Sequence, residues 1–221
     1  MPILEQRILK RKAELGVWQI EETEAWFIEQ MELTEREAQQ LAKIKGGKRR
    51  EWLAVRYLVH YLSGRRKRGV LLKDEFGKPY LDQSHFHISI SHSHGKAAVI
   101  AAPELCGIDI QKIVPKILRI QEKFMNPKEI EGLSEEHKLI QAHIIWGAKE
   151  SLYKAYGRKK IDFKSHLHIQ AFDYQPEGGN IQGYVLKDKN RQTYDIRYET
   201  VGDFVLVYAR QQKADTKPLV S

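Results

Sequence analysis

The sequence predicts an α+β fold made of two similar halves. Stretches with the apolar spacing of helices are followed by stretches with strand-like alternation, and this order occurs twice, before and after about residue 102. We therefore expect a pseudo-dimer of residues 1–102 and 103–221, with the binding site in the cleft between the halves. The length agrees with this division, because domains of roughly 110 residues are common.

Local signals place the individual elements. Thr34 and Glu37 have the spacing of a capping box, which predicts that a helix starts there, and Gly46 and Gly47 should end it. Gly64 is expected to stop the next helix, which runs over about 48–62. The other predicted elements are strands at 3–9, 14–20, 86–90, 96–102 and 107–110, helices within 21–31, 116–125, 126–133 and 136–157, strands at 167–174, 181–188, 193–200 and 203–211, and a mobile tail from 211.

The composition excludes several classes of protein. With 42% hydrophobic and 10% aromatic residues the chain can bury a core, which argues against disorder. No run approaches the roughly 20 apolar residues of a membrane span. The single cysteine, Cys106, excludes a disulfide scaffold, and the first residues lack the pattern of a secretory signal. We therefore expect a cytoplasmic protein.

The charge favours a polyanionic partner. Lys and Arg number 37 against 29 Asp and Glu, for a net charge of +8. Between Lys43 and Arg68 ten basic residues face a single acid, Glu51. This stretch is either a solvated helix face with a basic loop or an anion cradle, for which the planar guanidinium of arginine is well suited. Charge alone leaves nucleic acid, phosphorylated small molecules, acidic proteins and anionic membranes open.

Four further clusters have chemical potential but modest individual specificity. They are the Gly-Lys-Pro turn at 77–79, the Ser/His strand end at 89–95, the carboxylate of Asp109 in a buried strand, and Glu150 with Lys154 on one helix face. Each has an ordinary structural explanation: a turn, exposed polar residues, a capping carboxylate and a surface ion pair. The spacing of His85, His87, His92 and His94 resembles a zinc site only weakly, because no ligand pair elsewhere completes it.

Taken together, the order of these clusters is specific. An Arg-rich helix, GKP, SHS, GIDI and WGAKESLYK follow one another over roughly residues 45–160. This succession resembles the 4'-phosphopantetheinyl transferases of the surfactin-synthetase-activating type, within the holo-acyl-carrier-protein synthase superfamily. The resemblance implies a monomeric pseudo-dimer that moves the phosphopantetheine arm of coenzyme A onto a serine of an apo carrier protein. Adenosine 3',5'-bisphosphate would be released, and neither nucleic acid nor membrane would be a partner.

The resemblance implies contacts with coenzyme A in the first half of the chain. Arg50 matches the family arginine near the 3'-phosphate and adenine, and Lys78 and Pro79 match the pair that lines the nucleotide. Ser91 and His92 match the Ser-His pair on the phosphates of coenzyme A. His94 is inserted between that motif and the following glycine, which departs from the family pattern.

The resemblance also implies the metal ligands and the catalytic groups. Asp109 and Glu150 match carboxylate ligands of Mg²⁺, with Mn²⁺ as a substitute. Gln111 stands where many members have a third carboxylate, and it is a candidate third ligand through its amide oxygen, with a water as the alternative. Glu150 is the candidate base, directly or through a water. Lys154 is the candidate acid or electrostatic stabiliser on the phosphates, and Lys149 is expected to contact phosphate.

Two alternatives compete with this interpretation. The chain could be a basic nucleic-acid-binding protein without catalysis, in which case Asp109 and Glu150 would have no purpose. It could also be a family member that has lost catalysis, with Gln111 as the first sign. The presence of Asp109, Glu150, Lys149 and Lys154 argues against the second alternative.

Overall fold

The predicted mixture of helices and sheets is confirmed by the computed structural model, which describes residues 3–212. Residues 213–221, most of the predicted tail, lie outside the described residues. None of the helices within 3–212 is long and apolar enough to cross a membrane.

The first half of the chain forms a four-stranded antiparallel sheet of order β1-β2-β6-β5, with a helix layer and a small β3-β4 hairpin. In chain order its elements are β1 (Ile3–Leu9), β2 (Ala13–Gln19), α1 (Glu24–Gln30), α2 (Glu35–Ala42), α3 (Lys48–Ser63), β3 (Leu71–Lys73), β4 (Pro79–Leu81), β5 (His87–Ser93) and β6 (Lys96–Ala102).

The helix boundaries of this half follow the predicted local signals. Thr34 and Glu37 form the capping box that starts α2, with the Glu37 amide donating to Thr34 Oγ1 and the Thr34 amide donating to Glu37 Oε2. Gly64 adopts a left-handed conformation (φ 59°) and ends α3. The inserted His94 and Gly95 both have positive φ and make the two-residue turn between β5 and β6, so Ser91, His92 and Ser93 stay within the strand.

The second half forms a five-stranded sheet of order β7-β11-β10-β9-β8, which packs against the longest helix, α6. Asn126 caps α5 and Pro127 follows it, as predicted. The elements are β7 (Cys106–Lys112), α4 (Lys116–Ile120), α5 (Pro127–Glu131), α6 (Lys138–Tyr156), β8 (Leu167–Ile169), β9 (Gly179–Lys187), β10 (Asn190–Val201) and β11 (Phe204–Gln211).

An apolar cluster joins the two sheets. Its buried members come from β2, β6, β7 and β11, and they include Leu15, Ile100, Ile108 and Leu206. On the other face of β7, the backbone of α6 approaches so closely that a Cβ at Gly107 would lie 1.8 Å from the carbonyl oxygen of Ser151. The glycine of the GIDI motif thus brings α6, with its ionisable residues, directly against β7.

Candidate active site

Strands β5 and β7 belong to different sheets, yet side-chain hydroxyls join them. Ser89 Oγ accepts the Ile108 amide (3.0 Å), and Ser91 Oγ accepts the Ile110 amide (3.2 Å). Strand β7 lies at the edge of its sheet, so these amides have no strand partner on that side. The two serines satisfy buried donors that would otherwise be costly. They join β5 of the first half to β7 of the second half, and we call this contact the seam.

Asp109 lies at the centre of this seam and is nearly fully buried. Its Oδ1 accepts hydrogen bonds from Ser91 Oγ (3.0 Å) and Lys154 Nζ (2.9 Å), and its Oδ2 accepts one from Gln111 Nε2 (3.2 Å). Lys154 Nζ also donates to Ser91 Oγ (3.1 Å) and to the Ile108 carbonyl (2.8 Å), which uses all three of its donors. A buried carboxylate is costly unless it is paired or holds a cation, and Lys154 pairs with Asp109 here.

Glu150 lies one turn before Lys154 on α6. Burial raises the pKa of its carboxyl, the negative charge of Asp109 raises it further, and the positive charge of Lys154 opposes both effects. Asp109 and Glu150 therefore lie close enough to repel each other. A cation or a shared proton near the two carboxylates would relieve this repulsion.

Gln111 ties Asp109 to the interior of the second half. Its amide nitrogen donates to Asp109 and to the His143 carbonyl (3.1 Å). Gln111 Oε1 only accepts hydrogen bonds, so His143 Nδ1 carries a proton and donates to it (3.0 Å), while Nε2 lies 2.9 Å from the Val114 amide and 3.0 Å from the Val114 carbonyl. The amide oxygen of Gln111, the atom that could bind a metal, is thus engaged by His143.

Lys149 lies in the interior, away from the seam. Its side chain is 0% exposed, and Nζ is bound by Glu129 Oε2 (2.7 Å) and by the carbonyls of Phe124 (2.7 Å) and Phe163 (2.9 Å). Burial lowers the pKa of this amine, while the charge of Glu129 opposes that effect. A phosphate could reach Nζ only by displacing these oxygens, so the predicted phosphate contact has no support from the position of Lys149.

The Gly-Lys-Pro turn joins the end of α6 to the first half. Asp74 Oδ1 accepts the Lys78 amide, and the Lys78 ammonium donates to the Ala155 carbonyl (2.6 Å). Burial lowers the pKa of Lys78. The turn borders a cavity of about 160 Å³ that reaches Lys154. Its lining also includes Pro79, Ser89 and Tyr153.

A second, larger cavity of about 360 Å³ adjoins His92 on the first half. Pro79 and Ile90 connect it to the turn, and three basic residues, Arg36, Arg56 and Lys73, line it together with one acid, Glu37. Arg56 is 7% exposed, stacks on Trp52 with its guanidinium carbon 3.2 Å from the ring centroid, and its Nε lies 3.7 Å from Glu37 Oε1. The sequence did not single out Arg36 or Lys73, because neither belongs to a motif.

Much of the basic stretch is neutralised within the fold. Arg49 pairs with Glu24, and Arg68 pairs with the buried Glu37 (2.9 Å). Arg65 donates to the carbonyls of Asp82 and Gln83. Arg50, by contrast, is exposed, forms no hydrogen bond or ion pair with residues 3–212 and borders neither cavity described above.

Comparison with known proteins identifies relatives of this chain. Residues 105–209 match the family model of the 4'-phosphopantetheinyl transferase superfamily. The chain is 29% identical over 111 residues to the 4'-phosphopantetheinyl transferase gsp of Aneurinibacillus migulanus, covering 49% of this chain and 46% of that protein. Two Bacillus subtilis relatives, a 4'-phosphopantetheinyl transferase and the 4'-phosphopantetheinyl transferase ffp, are 37% and 34% identical, each over 38% of this chain and 39% of the relative.

Residues 105–209 of the chain are thus similar to the 4'-phosphopantetheinyl transferase superfamily, which confirms the resemblance predicted from the motifs. The matched region contains β7 and α6, the elements that carry Asp109, Glu150 and Lys154. Each match nevertheless spans less than half the length of the relative.

The burial of Lys149 gives a testable prediction. Removing one member of a buried ion pair leaves the other charge unpaired, so Lys149→Met should lower the free energy of unfolding by about 3–5 kcal/mol in urea denaturation. The exposed neighbour Lys164 is the matched control, and Lys164→Met should change it by less than about 0.5 kcal/mol. A stable Lys149→Met protein with specifically weakened coenzyme A binding would instead support the phosphate contact.

Proposed function

We propose that the protein transfers the 4'-phosphopantetheine arm of coenzyme A to a serine of an apo acyl or peptidyl carrier protein and releases adenosine 3',5'-bisphosphate. The observation that carries this proposal is the convergence of Asp109 and Lys154 on Ser91 at the seam between the two sheets, with Glu150 one turn before Lys154 on α6 and under the influence of both charges. These residues come from three separate motifs of the family.

The basic cavity supports coenzyme A as the donor. Its Arg36, Arg56 and Lys73 side chains match an anionic nucleotide, and the Pro79 and Ile90 side chains link it to the cavity that reaches Lys154. We place the phosphate-bearing end of coenzyme A along this path, with Ser91 and His92 beside it. Arg50 lies on the exposed first turn of α3, so we expect it to contact coenzyme A from outside the cavity.

The donor set at the seam fits a divalent cation of the Mg²⁺ type. Mg²⁺ is commonly held by one or two carboxylates together with substrate phosphates and water, and Asp109 and Glu150 are two acids of the seam whose charges influence each other. No three His, Cys, Asp or Glu side chains among the described residues form a metal site on their own. A direct bond from Gln111 would require its oxygen to leave His143.

In the proposed reaction, the serine oxygen of the carrier forms a bond to the phosphorus that bears the pantetheine, and the bond from that phosphorus to the bridging oxygen of the diphosphate breaks. Glu150 accepts the serine proton, a task helped by its raised pKa. Lys154 donates to the oxygen of the leaving bisphosphate after it gives up one of its hydrogen bonds to Ser91, Ile108 or Asp109. Asp109 and Glu150 would hold Mg²⁺, which would neutralise negative charge on the diphosphate.

The residues at the seam also support the predicted organisation of the chain into two halves, 1–102 and 103–221. Lys78, Ser91 and His92 come from residues 1–102, whereas Asp109, Glu150 and Lys154 come from residues 103–221. One chain therefore supplies both sides of the site, as a monomeric pseudo-dimer would. The single cysteine, Cys106, is fully buried, and burial raises the pKa of its thiol to about 12, so it is compatible with a reducing cytoplasm.

The proposal is tested by incubating the protein with coenzyme A, Mg²⁺ and several apo carrier proteins and following the carrier mass. We expect the mass of a phosphopantetheine arm to be added, and Asp109→Ala and Glu150→Gln each to slow transfer by roughly 10²-fold or more. Asp173→Ala, which removes an exposed acid distant from the seam, should match the unmodified protein. Failure to modify any carrier, together with salt-sensitive binding of DNA or RNA, would favour the nucleic-acid alternative.

Gln111→Glu tests the cation site separately from catalysis. The new carboxylate would face Asp109 Oδ2 and the His143 carbonyl where the amide now donates, so without metal the variant should lose about 1–3 kcal/mol of stability. Mg²⁺ should then raise its melting temperature more than that of the unmodified protein. The exposed Gln182→Glu is the matched control, and an equal response of all three proteins to Mg²⁺ would contradict a cation at this site.

A further inference from the structure

The only acid within the basic stretch, Glu51, contacts the turn between β5 and β6. It lies in the first turn of α3, and its side chain is only 16% exposed. Its Oε2 is 2.9 Å from His92 Nδ1, and its Oε1 accepts the Gly95 amide at 3.3 Å. The two oxygens of one carboxylate therefore bind a side chain and a backbone group of the same hairpin.

This contact decides which nitrogen of His92 is available. A carboxylate only accepts hydrogen bonds, so Nδ1 carries a proton and donates it to Glu51. No other described residue hydrogen-bonds the ring, which is 41% exposed and borders the basic cavity with Arg36, Arg56 and Lys73. Nε2 is left as the nitrogen that can meet a ligand.

We propose that Glu51 is a positioning residue that holds the His92 imidazole with Nε2 free to bind a phosphate group of coenzyme A. This inference rests on the proposed function, because the phosphate belongs to the proposed donor substrate. The carboxylate fixes the ring in one orientation before the ligand arrives, which reduces the ordering cost on binding.

Charge and positioning predict opposite effects of removing Glu51. A carboxylate beside an anion site repels the ligand, so its loss should strengthen or leave unchanged the affinity for coenzyme A if charge alone matters. If Glu51 orients His92, its loss should weaken the affinity despite the more positive surroundings. The sign of the change therefore separates the two explanations.

The experiment is calorimetric titration of coenzyme A into the full-length protein and its variants. Glu51→Ala should weaken binding by about 3- to 10-fold, the equivalent of one hydrogen bond, and His92→Ala by at least as much. Combining the two substitutions should weaken binding no further than His92→Ala alone, because both remove the same interaction. Glu51→Gln keeps an acceptor for Nδ1 and should stay within about 2-fold of the unmodified protein.

Two further variants keep the outcome decisive. Glu75→Ala removes an exposed acid that contacts no histidine and should not weaken binding. Glu51→Asp keeps the charge but shortens the reach, so it should weaken binding even if Glu51→Ala proves too unstable to titrate.

Equal or tighter binding by Glu51→Ala or Glu51→Asp, or independent effects of Glu51→Ala and His92→Ala, would overturn the positioning role while leaving the proposed function intact. Absence of any coenzyme A binding by the unmodified protein would overturn both.

Discussion

The hydrogen-bonded contact of Ser91, Asp109 and Lys154 is the interaction on which the rest of the site depends. A buried carboxylate is costly unless it is paired, and here the partners come from β5 in one sheet and α6 against the other. Because the same serine satisfies the edge of β7, the two halves are joined by polar groups beside the apolar cluster that joins the sheets. Polar residues are thus concentrated where both halves can reach one ligand.

Local sequence signals were sufficient for most elements and for part of the site. The capping box at Thr34, the left-handed Gly64 and the apolar spacing of α6 depend on near neighbours, so pattern and structure agree. Asp109 was identifiable because a carboxylate in a buried strand needs a partner. Its partner, Lys154, lies 45 positions along the chain, and no local pattern connects the two residues; the family resemblance assigned Lys154 to the phosphates and not to Asp109.

Long-range pairing explains what the sequence could not reveal. The acids that neutralise Arg49 and Arg68 lie on α1 and α2, outside the stretch whose charge was counted. Lys149 is next to Glu150 in sequence, but successive positions on a helix point in different directions. The Lys149 side chain therefore points into the interior, where its ammonium group donates to the carbonyls of Phe124 and Phe163. Its role depends on carbonyl groups, which have no sequence signature.

The measurement that most directly tests the seam as a cation site is a titration of ligand-free protein with Mn²⁺, with and without the Lys154→Met substitution. The Lys154 ammonium holds Asp109 in the absence of a cation, so its removal should strengthen Mn²⁺ binding by about 5-fold, the equivalent of roughly 1 kcal/mol. The exposed control Lys164→Met should bind Mn²⁺ like the unmodified protein. Unchanged or weaker binding by Lys154→Met would contradict a cation site at Asp109 for which Lys154 is the internal counterion.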